Sequence, residues 1–318
     1  MPTRLPDARI SPRFAGISTF GRYPMLKDVP PQDGAIDWAI YGAPFDGGVT
    51  FRPGARFGPR AIREASQYLK RFHLVHEVDV CEKLSLADAC DSPVSPFDCG
   101  ETASMIYDFA VSLGAKQTKP LALGGDHSIA YGNIKAAWHK ADCPSGGLSL
   151  VHFDSHLDTV DQLWGEKHSH ASPFIRAIED GYIDPSSMIS IGIKGPLNSK
   201  VDLDYAKSNG IRILPHHRIR DHAATVIPDF VKSVLGRPTY LSFDIDVIDP
   251  AFAPGTGTPC PGGLTTDDAF GLIRAFKGIN LAGADVVEVL PDRDSAGITS
   301  FAAAHIVFEI LALDACAR

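Results

Sequence analysis

Eight short apolar runs of strand length alternate with segments of helical period, and this alternation constrains the chain more than any other feature. The runs cover 38–41, 84–87, 120–123, 148–153, 188–193, 211–214, 239–243 and 284–289. Amphipathic stretches at 59–69, 102–113, 129–139, 172–180, 266–276 and 298–313 lie between or after them. Several runs, such as Leu148-Ser-Leu-Val-His-Phe153, are apolar on both faces, which suits strands covered on both sides by helices. The pattern predicts an α/β chain: a three-layer α/β/α sandwich around a mostly parallel sheet of about eight strands. No linker-like shift in composition divides it, so residues 1–318 are expected to form a single domain. Residues 1–35 would be an N-terminal extension, packed on the core or at an oligomer contact.

Composition narrows the partners. With 44% hydrophobic and 21% charged residues in 318, the chain can bury a large core and is not expected to be disordered. Thirty Lys and Arg against 38 Asp and Glu leave a net charge of −8, without the basic excess that binding to nucleic acid uses. Six cysteines show no C-x-x-C spacing, which predicts reduced thiols and a cytoplasmic setting. Residues 1–16 are broken by Pro2, Pro6 and Pro12, and no apolar run approaches 18 residues, so neither a signal peptide nor a membrane span is expected.

Glycine and proline gather where strands should end, and ligands in such sheets bind beyond the carboxyl ends of strands. Polar residues fall at the same places. Asp154-Ser-His156-Leu-Asp158 follows the run 148–153, and in extended chain the residues at i, i+2 and i+4 share a face. Asp244 and Asp246 follow 239–243 at i and i+2, and Gly124-Gly-Asp126-His127-Ser128 follows 120–123, its glycine pair allowing close approach of the backbone. Four carboxylates at one point repel one another and need a cation. The set His127, Asp154, His156, Asp158, Asp244 and Asp246 offers nitrogen and oxygen but no thiolate, which suits manganese, nickel, cobalt or iron rather than structural zinc. Two such ions close together lower the pKa of a water between them and supply hydroxide at neutral pH.

These residues carry a resemblance. Gly124-Gly-Asp-His-Ser128, Asp154-Ser-His-Leu-Asp158 and Ser242-Phe-Asp-Ile-Asp-Val-Ile-Asp-Pro250 resemble the three signature motifs of the ureohydrolase superfamily of arginases, agmatinases and guanidino-acid hydrolases. The flanks Phe51 to Arg60, Gly165 to His170, Pro254 to Pro259 and Val286 to Val289 are similar to the agmatinase branch, so the likeness runs from about residue 40 to 315. It implies an arginase-like fold, a binuclear centre holding manganese, with nickel as the other candidate, and hydrolysis of a guanidino group to urea and an amine. Asp154 and Asp244 would bridge the ions, His127 and Asp158 would complete one, and His156 and Asp246 the other. Glu288 would hold the substrate guanidinium and His170 would pass a proton to the leaving amine. A homotrimer or hexamer is implied as well.

The substrate is the open part of this reading. Agmatine is the representative choice, with 4-guanidinobutanoate, guanidine, guanylurea or a biguanide as the alternative and a noncatalytic metal-bearing subunit as a remote one. Ala171 stands where the branch usually has Gly, and Leu163 and Trp164 lie where relatives gauge substrate length. Arg293, if it faced the pocket, would disfavour the distal ammonium of agmatine and favour a carboxylate tail or a small neutral group; paired with Asp292 or Asp294 it would be inert. Away from this set, His152 is expected to point opposite to the ligand face and, like Asp126 and Asp249, to orient ligands, and His73, His76, His216 and His217 to be surface or structural, the last two in a loop.

Overall fold

The computed structural model describes residues 3–30, 35–197 and 199–318. In chain order the first half runs β1 (Trp38–Ala43), α1 (Gly58–Ser66), β2 (Phe72–His73), β3 (Val78–Asp79), α2 (Val80–Lys83), β4 (Leu86–Asp91), α3 (Cys99–Ser112), β5 (Lys119–Gly124), α4 (Ile129–Lys140) and β6 (Leu148–Phe153). The second half runs α5 (Pro173–Glu179), β7 (Ile183–Ile191), α6 (Lys200–Ser208), β8 (Arg212–Leu214), α7 (His216–Ser233), β9 (Pro238–Asp244), α8 (Thr266–Ala275), β10 (Asn280–Val287) and α9 (Ile298–Ala315). The eight runs anticipated as strands all pair in one sheet, ordered β4-β1-β5-β10-β9-β6-β7-β8. Every pairing in it is parallel, as expected where helices cover both faces. The short hairpin of β2 and β3 stands apart.

The order explains where the chemistry sits. After β5 the chain crosses to β6, and the gap is later filled by β9 and β10, so the middle of the sheet is assembled from distant segments. The motif-bearing ends of β5, β10, β9 and β6 are therefore neighbours, at a point where the strand order reverses. One helical layer packs α1, α8 and α9 with Phe230 of α7 against the sheet; the other packs α3, α4 and α5 with Ala206 of α6.

α9 is nearly all apolar, and Ser295–Ala315 is long and apolar enough by composition to cross a membrane. It instead lies buried against α1, α8 and β10, with Ile306, Val307, Ile310 and Leu311 fully enclosed. α7 contradicts the loop assigned to His216 and His217. Its apolar residues Ile219, Ala223, Val226 and Phe230 recur at helical spacing, Pro215 caps it from outside, and the internal Pro228 does not end it. Ahead of β1, Thr3 donates through its backbone to Cys81 O at 2.7 Å and Phe20 is fully buried, so parts of the extension pack on the core.

Candidate metal centre

The ends of four central strands converge on one buried cluster. His127, just beyond β5, has Nδ1 at 2.8 Å from Asp158 Oδ2, 3.1 Å from Asp154 Oδ2 and 3.3 Å from Asp244 Oδ2. His156 Nδ1 lies 3.1 Å from Asp246 Oδ2 and 3.3 Å from Asp154 Oδ1. Asp154 thus faces His127 with Oδ2 and His156 with Oδ1. His127, Asp154 and Asp246 are fully buried, and among the described residues no Lys or Arg forms an ion pair with the four carboxylates.

The backbone is shaped to permit this. A Cβ on Gly125 would lie 2.0 Å from the Phe45 carbonyl oxygen, so only glycine lets this turn pass the loop after β1. Asp158 and Glu288 both adopt left-handed backbone conformations, φ 50° and 65°, a costly geometry for side chains of this kind. For Glu288 this ends β10 at Val287, two residues short of the expected boundary, and turns the carboxylate into the site.

A cation fits the donor set. The Ser242 hydroxyl donates to Asp285 Oδ1 at 2.6 Å, so its oxygen is left to accept from His127 Nε2 at 2.8 Å. With the proton on Nε2, His127 turns the Nδ1 lone pair toward the three carboxylates, and among the described residues this buried nitrogen has no hydrogen-bond partner. Electrostatics agree. Burial and the charges of Asp246 and Asp154 push the Asp244 carboxyl well above its usual range. Burial would do the same to Asp154, but the imidazoles of His127, His152 and His156 beside it outweigh it and hold that carboxyl well below. Side chains of one type are driven in opposite directions, Asp244 upward by burial and crowded negative charge and Asp154 downward by the imidazoles around it.

Next to the cluster, Glu288 Oε1 accepts from the His127 backbone N–H at 3.0 Å and lies 2.9 Å from His170 Nδ1. Its other oxygen, Oε2, is buried without a partner among the described residues. His170 Nε2 meets the Thr50 hydroxyl at 2.7 Å. Burial alone would lower the His170 pKa, but Glu288, with Asp158 and Asp126 nearby, raises it to about 9. Asp126 accepts from the backbone N–H groups of Gly48 and Ser128, at 2.8 and 2.9 Å, and Gly48 O accepts from His170 N–H at 3.0 Å. Asp126 therefore fixes the loop that seats His170. Burial and the Glu288 charge push its own pKa up to about 7.

The six ligand-type residues, Glu288 and His170 are all brought together. Several neighbours are placed differently from expectation. His152 does not point away: it is two residues before Asp154, shares its face, and sets Nε2 2.9 Å from Asp154 Oδ2. Asp249 lies in a surface turn, accepting from Ala251, Gly262 and Gly263. Arg293 is more than half exposed, 3.6 Å from Asp292, and does not line the cavity above the cluster. Leu163, Trp164 and Ala171 do line it. Ser242, Asp285, Thr258 and Cys260 were not singled out from sequence. Thr258 donates to Asp246 Oδ2 at 3.2 Å, and Cys260 Sγ is 3.6 Å from His156 Nε2. His152, Ser242 and Asp285 occupy one register across β6, β9 and β10, a polar row within an apolar sheet that sequence alternation could have revealed.

Known proteins place this arrangement. Guanidinopropionase of Pseudomonas aeruginosa is 40% identical over 309 residues, covering 96% of this chain and 94% of that one. An agmatinase of Escherichia coli is 38% identical, with 95% of each chain covered. The solved structure of proclavaminate amidinohydrolase from Streptomyces clavuligerus superposes with a TM-score of 0.88 at 37% identity, covering 97% of this chain and all of that one. The arginase family model matches residues 36–313, and with the geometry above this makes the chain a member of the arginase family, an amidine C–N hydrolase acting on guanidino compounds.

Proposed function

We propose that the chain hydrolyses a small guanidino compound of the agmatine type to urea and an amine, with His127, Asp154, His156, Asp158, Asp244 and Asp246 holding two divalent cations. Manganese is the first choice and nickel the second, because the same nitrogen and oxygen donors accept both. When bound, the pair would neutralise the carboxylates and acidify a water held between them. The observation that carries the reading is Glu288 Oε2, a buried acceptor without a donor. A guanidinium is planar, cationic and rich in N–H groups, so it supplies what this oxygen lacks. Gly257 leaves room for it, since even a Cβ there would come within 3.5 Å of Oε2.

The remaining roles follow from position. Glu288 holds the guanidinium while its Oε1 keeps His170 in place. His170, protonated at neutral pH, donates a proton to the nitrogen that departs as the amine. Asp158, shared between the cluster and the cavity wall, orients the attacking water. A second reading, an acid-tailed guanidino substrate, is favoured by the name of the guanidinopropionase relative. The test is urea release by protein loaded separately with manganese and with nickel, across agmatine, 3-guanidinopropanoate, 4-guanidinobutanoate and guanidine. Agmatine as best substrate supports the first reading, and turnover confined to the acids supports the second. We also place the enzyme in the cytosol as a homotrimer or hexamer, for which the exposed Phe14 and Ile17 offer apolar contact surface; sedimentation would measure the assembly.

A further inference from the structure

Above the cluster lies a cavity of about 380 Å³. Its floor carries Asp158, Asp244, His156 and His170, and its walls include Val160, Leu163, Pro196 and Leu197. Among the described residues lining it there is no Lys or Arg, and Asp202 is the one carboxylate there outside the cluster. Cations nearby are engaged elsewhere. Lys194 Nζ donates to the backbone carbonyls of Asp246 and Val247, at 3.0 and 3.3 Å. Lys200 pairs with Asp204 at 3.3 Å, and Arg176 pairs with Asp161 and Glu179.

Asp202 itself is uncommitted. It sits in the first turn of α6, where a carboxylate is tolerated by the helix dipole. At the third position of a helix an acidic side chain often reaches back to the capping residue. Here the Ser199 cap bonds only Val201 N–H, at 3.2 Å, and the Asp202 carboxylate makes no hydrogen bond or ion pair among the described residues. It is half-buried and faces the cavity.

Resting on the proposed function above, we infer that Asp202 is a specificity-determining residue that reads the far end of the substrate, selecting a cationic tail over a carboxylate tail. A guanidinium seated on Glu288 directs its alkyl chain outward along the apolar walls. A terminal ammonium then meets the free carboxylate, and a terminal carboxylate meets a like charge with no cation to relieve it. This assigns to α6 the discrimination that Arg293 would have performed in the opposite sense.

The experiment compares kcat/KM for agmatine, pentylguanidine and 5-guanidinopentanoate, which share one chain length and differ in the charge at the end. The metal-loaded wild type should prefer them in that order. Asp202→Asn should lower the agmatine to pentylguanidine ratio about 2- to 5-fold, the loss falling on KM, as for a partly screened charge pair. Asp202→Lys should invert the order of agmatine and 5-guanidinopentanoate. Raising the ionic strength should shrink the wild-type ratio and leave that of Asp202→Asn flat. Turnover with ratios unchanged in both variants overturns the assignment while leaving the guanidino reading intact. No turnover of any of the three by correctly folded, metal-loaded wild type overturns both.

Discussion

His73 and Glu309 on the α9 side of the sheet, and His127 with its carboxylates at the strand ends, are built from the same kinds of side chain. Each group brings histidine and carboxylate atoms close enough to hold an ion. In the first, His73 Nε2 lies 2.9 Å from Glu309 Oε2, His76 stacks on His73 at 4.7 Å, and Arg274 donates to both Glu309 oxygens. In the second, four carboxylates meet the imidazoles of His127, His152 and His156, and among the described residues no guanidinium or ammonium pairs with them. The first cluster closes its charge with its own arginine and is structural. The second is left open, and an open buried charge is tolerable only when something from outside completes it.

The sharpest way to break this comparison is to remove one member of the open cluster. Asp154→Asn should lose bound metal and lower urea release at least about 100-fold, read together by metal analysis and rate; full activity would refute the two-ion centre. Asp244→Asn should show an opposite effect on folding once metal is stripped. The Asp244 carboxyl is raised in the fold by burial and by the charges of Asp246 and Asp154, so its ionised form opposes folding at pH 7, and neutralising it should stabilise the metal-free protein. Denaturant melts with and without chelator measure this, and a destabilised metal-free variant would contradict the crowding argument. Next in size is Glu288→Gln, which should retain metal yet lower turnover about 10²- to 10³-fold. Metal loss there would move Glu288 from substrate holder to cluster support.

Much of this was legible in the chain, for a physical reason. Strand ends of a covered parallel sheet are marked by glycine and by a switch from apolar to polar residues, and the i, i+2, i+4 spacing of Asp154, His156 and Asp158 survives folding because it needs only extended chain. The partners of those residues were harder to read. Asp285 meets Ser242 and then His127 because β10 pairs beside β9, which the order of strands in the chain does not reveal. His152 was assigned to the wrong face although strand alternation puts it with Asp154. Asp202 was invisible for a different reason: α6 is a short helix with a mixed face, and nothing local says that its first turn borders the cavity. Arg293 shows the converse, a motif neighbour of Glu288 that the turn after β10 carries away from the cavity.

The smallest expected effect concerns the closed cluster. Glu309→Gln leaves the His73 and Arg274 partners without their counter-charge, and because Arg274 is partly exposed the cost should be about 2–3 kcal/mol, below that of breaking a fully enclosed pair. Its pH dependence has a definite sign. Burial would raise the Glu309 carboxyl, but the hydrogen bonds from His73 and Arg274 outweigh it, so the folded pKa lies below the ordinary 4.5. The stabilisation is therefore complete above pH 4.5 and is lost as pH falls through the folded value. Melts of wild type and variant should differ most at neutral pH and converge in acid, while urea release per folded molecule stays the same. Convergence towards high pH instead would overturn the assignment of this dependence to Glu309. A loss of turnover would mean that the two clusters are coupled through α9 and the sheet, and that closing its own charge does not make the first one independent of the second.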